Sequence, residues 1–408
     1  MRVPTVSRFV EAATAILSFA TLATAQVKYS TWMASSIMSR SQGIMTGKGG
    51  SSELLQAGIT QRAFSAVVAQ YPNDNLTRDI KAYIHKSAAS VVPFISNATY
   101  DALSYPLDRL SNGNALLTLY SPTDNSTASF HAAADALRQS INLNRRNPEG
   151  GLWYFTYPQW SYLDGMYSLA PFYTQYTLAA DSSLRSKNTT AALDDMLFQL
   201  DLLWQHTHNA TSGLLVHGYD ASRTAVWANP VTGASPHVWG RSLGWYAIAL
   251  VETLELLPQS ACKYRGRILE KFHTLASALV KAVDPVTGGW WQVLDEPARE
   301  GNYIESSGSA MFSYALLKGT RLGYLKFNAT LQRAAMAAGI RSQNYLTNTF
   351  VVKNANGTLG YNGTVAVCSL NSTATYEYYV GQPINYNSVL GSAAYILASL
   401  EVENLGSS

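Results

Sequence analysis

Charge is scarce in this chain. Lys and Arg number 29 and Asp and Glu 26 among 408 residues, 13% in all, about half the share of an ordinary soluble domain. A formal net charge of +3 falls far short of the basic footprint that a nucleic-acid partner requires, so none is expected. Cysteine is nearly missing too, with Cys262 and Cys368 the two present. That excludes a disulfide-stapled scaffold, while a bridge between the two and a pair of free thiols both stay open. Past residue 25 no uninterrupted apolar run is long enough to span a bilayer, so no membrane partner is expected either. Clusters of Cys, His and carboxylate at ligand spacing are lacking. His206 and His208 come nearest, without a third ligand, and read as a solvated helix end; no metal and no cofactor is expected.

The first 25 residues read as a secretory leader. Arg2 and Arg8 precede an apolar run over 12–22, and Ala23-Thr24-Ala25 supplies a small-residue cleavage site. The expected division is a leader at 1–25 and one domain over 26–408, secreted to the extracellular side. Nine Asn-X-Ser/Thr sequons, from Asn75 to Asn371, agree with secretion and make N-glycans expected.

Helical periodicity dominates the remainder. Apolar residues keep helical spacing through Trp32–Met38, Leu54–Val68 and 76–92, then in short segments at 115–120 and 130–141. Further segments begin at Asp164 and cover 188–206, 245–257, 268–283, 306–324, 329–346 and 389–402. Between them recurs a connector with a Gly turn leading into apolar and aromatic residues: EGGLWYF at 149–155, TSGLLVHG at 211–218, TGGWWQVL at 287–294 and NGTLGYNG at 356–363. These read as short β-hairpins. They recur every 60 to 75 residues or so, which divides the chain into close to six units of a helix pair plus a connector. The expected fold is all-α, an (α/α)6 barrel with short β-hairpin connectors at the rim. Segment 245–257 is apolar on nearly every side, as an inner helix must be, whereas 268–283 is amphipathic and belongs outside.

In such a barrel a pocket forms where the inner helices begin. Asp164, in SYLDGMYSLAPFY, stands at one such start, where an Asp also serves as a simple helix cap. Asp108, in YPLDRLSNGNALL, heads a short apolar helix. Two carboxyls in one pocket repel, so one can hold a raised pKa and carry a proton at neutral pH. Trp239 and Arg241 combine a flat stacking surface with a fork that matches a carboxylate. His217 lies in the second connector, Trp153 and Tyr154 in the first, and Glu305 follows the third. These six are candidate substrate-binding residues. Gly240-Arg241-Ser242-Leu243-Gly244 matches the G-x-S-x-G of serine hydrolases, but that motif needs a strand feeding a helix on a parallel sheet, and the chain has no β/α alternation.

Five blocks, YPLDRLSNGNALL, YPQWSYLDGMYSLAPFY, GLLVHGYD, SPHVWGRSLGWYAIALVETLELLP and NYIESSGSAMFSYALLKGTRLGYL, resemble the unsaturated rhamnogalacturonyl hydrolases of glycoside hydrolase family 105, related to the unsaturated glucuronyl hydrolases. The resemblance runs from about residue 30 to 402, in order. It implies an (α/α)6 barrel, no metal, and a substrate oligosaccharide left by a polysaccharide lyase, with a 4,5-unsaturated uronate at its non-reducing end. It further implies Asp164 as general acid and base, Asp108 as its support, and His217, Trp239 and Arg241 in the pocket. Two positions depart from the family pattern: Tyr154 replaces a His, and Asn387 lies where an Asp is common. Both bear on which sugar is taken. The competing readings are a secreted carbohydrate-binding protein without catalysis, an ordinary glycosidase on the same barrel, and an unsaturated glucuronyl hydrolase acting on another backbone.

Overall fold

The computed structural model describes residues 27–50 and 52–406; the leader expected at 1–25 lies outside them. In chain order the helices are α1 (Tyr29–Ser39), α2 (Glu53–Gln70), α3 (Thr77–Val91), α4 (Ala98–Ser104), α5 (Gly113–Leu119), α6 (Ala128–Leu143) and α7 (Asp164–Ala180). There follow α8 (Lys187–Thr207), α9 (Gly240–Leu256), α10 (Cys262–Ala282), α11 (Ser306–Arg321), α12 (Ala329–Phe350), α13 (Tyr376–Val380) and α14 (Val389–Leu405). A 3₁₀ segment, Leu107–Asn112, runs directly into α5.

An inner ring closes on itself: α2 packs on the 3₁₀ segment, this on α7, α7 on α9, α9 on α11, α11 on α14, and α14 back on α2. Helices α3, α6, α8, α10, α12 and α1 back this ring as an outer layer. The result is the expected (α/α)6 barrel. Burial separates the layers. In α9 every residue from Gly240 to Thr253 is buried, and in α14 every residue from Val389 to Glu401, which only a helix apolar nearly all round can bear. By contrast α10 buries a stripe, including Ile268, Phe272, Leu275 and Leu279.

The connectors behave differently from the expected hairpins. Strands β1 (Trp160–Tyr162) and β2 (Gly218–Asp220) pair antiparallel across two connectors, with Tyr162 opposite Gly218. Only β3 (Val351–Lys353) and β4 (Leu359–Tyr361) form a local hairpin among the described residues. The first two connectors each close on themselves by a single bridge, Arg146 to Leu152 and His208 to Leu215, while the third makes two that reach other segments, Trp239 to Val293 and Trp291 to Ile304. The rim is thus knitted between units as well as within them. Glycine is required at 218, because a Cβ there would stand 2.4 Å from the Ser161 carbonyl oxygen across the ladder.

The question of the cysteines is settled: both are free thiols, Cys262 exposed at the start of α10 and Cys368 buried. All nine sequon asparagines are exposed. No described helix is long and apolar enough to cross a membrane.

At the end of the barrel where the inner helices finish, a charged network ties three of them together. Glu252 of α9 accepts from Arg62 of α2 at 2.7 Å and from Lys318 of α11 at 2.8 Å, and Lys318 also meets Glu255 at 2.6 Å. Burial alone would raise the Glu252 carboxyl, but Arg62 and then Lys318 outweigh it and hold it well below the usual carboxylate range. A depressed carboxylate contributes stability above its unfolded pKa and loses it as pH falls through the folded value. Replacing Glu252 by Ala leaves the buried Lys318 and Arg62 with only the more exposed Glu255 as counter-charge and should cost about 3 kcal/mol. A urea titration at neutral pH measures it, and an unchanged midpoint would show the network to be unimportant.

Candidate active site

All six inner segments begin at the same mouth, and the pocket lies there. Ser52 and Leu55 of the α2 start, Asp108, Asp164, Trp239, Arg241 and Leu390 of the α14 start line it together. Helix N-termini carry unpaired N–H groups and the positive end of the macrodipole, so this mouth favours an anion.

Asp164 is the first residue of α7, 7% exposed. It does not act as a cap: its Oδ2 accepts from the Ser242 hydroxyl, and His217 Nε2 stands 3.3 Å away. The His217 ring is wholly buried, and its Nδ1 pairs with the Tyr379 hydroxyl at 2.8 Å. Strand pairing sets this geometry, since β1 ends two residues before Asp164 and β2 begins one after His217. The Leu163 N–H donates to the His217 carbonyl at 3.1 Å.

Asp108 sits in the 3₁₀ segment, 3% exposed, with Oδ2 accepting from Tyr154 Oη at 2.7 Å and Oδ1 without a partner. Burial pushes its carboxyl up to about 7, with the Asp164 charge raising it further and the Tyr154 bond and Arg109 opposing. At neutral pH the two carboxyls therefore differ in environment: one faces a hydroxyl and an imidazole, the other a phenol and an apolar wall.

Arg241 lies 4.8 Å over the Trp239 ring, and two of its nitrogens donate to the carbonyls of Val365 and Ala366, both at 2.6 Å. Those bonds hold the segment carrying Val367, Cys368 and Ser369 against the pocket. Glu305 stands behind this wall and does not line the pocket. It caps α11, accepting from Gly308 N–H at 2.6 Å, and accepts from Val365 N–H at 3.0 Å. Glu305 and Arg241 thus grip the same segment by its N–H and its carbonyls. Trp153 also lies off the pocket, beneath the Arg145 guanidinium at 5.5 Å. Tyr154 lines the pocket, stacked on Tyr162 with centroids 4.3 Å apart.

Sequence reasoning missed Ser242, Tyr379, Phe155, Tyr157 and Tyr162. Ser242 was in view as the centre of the G-x-S-x-G match. It follows no strand of a parallel sheet, and its hydroxyl donates to a carboxylate. Tyr162 was legible as a residue two before Asp164; Tyr379, from a five-residue helix far along the chain, carried no signal. No group of three potential metal ligands exists among the described residues.

The family described as Glycosyl Hydrolase Family 88 matches residues 30–405. Among solved structures, a family 105 glycoside hydrolase from C. acetobutylicum ATCC 824 is 32% identical, with 93% of this chain and 100% of that chain covered and a TM-score of 0.79. The unsaturated glucuronyl hydrolase of Bacillus sp. GL1 is 13% identical over 92% of this chain and 95% of its own, with a TM-score of 0.62, a likeness of fold. A 24.9 kDa protein in the picA locus of Rhizobium radiobacter is 35% identical over 215 residues, 51% of this chain and 90% of that protein.

The Tyr154 bond lowers the Asp108 pKa, so Tyr154→Phe should raise it above about 7. A carboxyl-carbon NMR titration of the two proteins reads the shift directly. An unmoved or lowered Asp108 titration would show that the phenol does not govern it.

Proposed function

The chain belongs to glycosyl hydrolase family 88, and on that premise we propose that this glycoside hydrolase removes a 4,5-unsaturated uronic acid from the non-reducing end of lyase-generated oligosaccharides. Rhamnogalacturonan fragments are the substrate we favour. The reading rests on one observation: two buried carboxyls, Asp164 and Asp108, line one pocket at the convergent N-termini of the inner helices. A uronate suits that positive mouth, and the Trp239 ring with Arg241 beside it suits a flat, anionic sugar.

The chemistry is hydration. In the reactive state the carboxyl pair holds one proton. Asp164 gives it to C4 of the enol ether, and the cation that develops at C5 is taken by water. The Asp164 carboxylate, steadied by Ser242 and His217, accepts a proton from that water. A hemiketal results at C5. Its opening and the loss of the glycosidic bond follow without attack at the anomeric carbon, so no carboxylate separation rule of inverting or retaining enzymes applies. One proton on the pair leaves it a single negative charge, and the Tyr154 bond sets how firmly Asp108 competes for that proton. Above neutrality Asp108 ionises and the pair loses its proton.

We further place the protein outside the cell, released near Gln26 and carrying N-glycans. N-terminal sequencing of the secreted protein and a mobility shift on deglycosylation test that placement.

Turnover is read as loss of the ultraviolet absorbance of the conjugated enol acid. Unsaturated rhamnogalacturonan disaccharides should be consumed and saturated ones left intact, while preference for unsaturated glucuronyl disaccharides would reassign the backbone. Asp164→Asn should lower kcat by about 10²–10⁴; an unimpaired variant would remove Asp164 from the mechanism. The log of kcat/KM should fall as pH rises past about 7, where Asp108 ionises, and a profile flat through that region would detach Asp108 from the proton.

A further inference from the structure

A second cavity, of about 290 Å³, lies deeper in the barrel, between α2, α5, α7 and α9. Pro171 and Gln175 line it from α7, and Glu252 and Glu255 from α9. At 1.5 Å of rise per residue, roughly 10–21 Å of helix separate these from Asp164 and Arg241. Tyr167 belongs to its lining and Trp245 to that of the catalytic pocket. The two rings meet at a tilt of 35° with centroids 4.6 Å apart and form the partition between the cavities. On its outer side the cavity reaches solvent past Thr118 and Glu255, both exposed.

Its wall has the chemistry of a neutral ligand site. The charges are matched: Arg62 is paired with Glu252 at 2.7 Å, and Lys318 with Glu252 at 2.8 Å and Glu255 at 2.6 Å. An ionic guest would find these charges already paired and would itself lack a counter-charge. The remaining polar groups are uncharged. Gln61 is 1% exposed and donates to Ser87 at 3.0 Å, which fixes the amide that forms part of the wall. Asn114 donates to the Gln175 carbonyl, which leaves the Asn114 carbonyl and the Gln175 amino group for other bonds. Ala115 and Pro171 supply an apolar face. Amides and hydroxyls beside a flat apolar patch match a sugar ring, whose hydroxyls alternate donor and acceptor and whose C–H face is apolar.

We propose that this distal cavity is a binding site for a neutral pyranose, separate from the catalytic pocket and divided from it by the Tyr167–Trp245 pair. The site takes an uncharged monosaccharide unit and discriminates against uronates, the reverse of the preference argued for the mouth.

The test is saturation-transfer NMR on the full chain with L-rhamnose, D-galactose and D-glucose, and D-galacturonate as the anionic comparator. At least one neutral sugar should bind saturably, unaffected by Asp164→Asn. Ala115→Leu, which fills the cavity, and Gln175→Leu, which removes a polar partner, should each weaken that binding by about tenfold or more. Thermal melting identifies which variants are folded, and Gln175→Leu, at a half-buried position, carries the test if Ala115→Leu is not. The proposal is overturned if no neutral sugar binds, if galacturonate binds better, or if binding survives in the folded variants.

Discussion

Closing six helical units into a ring obliges the inner helices to run the same way. Each unit leaves the ring through an outer helix and re-enters it at the same end, so every inner N-terminus arrives at one mouth. The six macrodipoles therefore add there, and an apolar barrel with 13% charged residues acquires an electropositive opening without spending lysines on it. Asp164, Asp108, Arg241 and Glu305 all occupy first-turn positions or the residue just before.

The same alignment gathers negative helix ends at the opposite side. Lys318 and Arg321 in the last turn of α11, with Arg62 midway along α2, meet that side, and each is paired with a glutamate. The two ends of the barrel thus solve one electrostatic problem in opposite ways. At the finishing end charges are paired and hydrogen-bonded, which favours stability. At the mouth Asp108 is buried without a cation against its carboxyl and is pushed up to about 7. Ionising it inside the fold costs free energy that a structural carboxylate would avoid, which is the usual sign of a group kept for chemistry.

Much of this was legible in the sequence because helical periodicity and the recurring Gly turns are local signals. The inner character of α9 followed from Trp245–Leu257, and the places where functional side chains gather followed from where inner helices begin. What was illegible depended on pairing between distant segments. No local pattern says that the connector bearing His217 goes on to pair with β1, that Tyr379 closes over His217, or that Ser242 turns toward Asp164. Glu305 shows the converse: its position after a connector suggested substrate contact, while its two oxygens are engaged by the α11 start and Val365. Tyr154 was noted as a departure from the family His, and its partner Asp108 became visible only in three dimensions.

The antiparallel ladder of β1 and β2 has a kinetic meaning. It joins residues separated by the whole of α7 and α8, and the Asp164–His217 contact sits directly at its end. Helices of the barrel can form from local contacts, but this ladder must wait for a long loop to close, and such non-local pairing is slow. Asp164 and its imidazole neighbour are therefore brought together only when this loop closes. A nascent chain that has built several of its helical pairs still has no working site, so the hydrolytic pocket comes into being together with the ring that shields it.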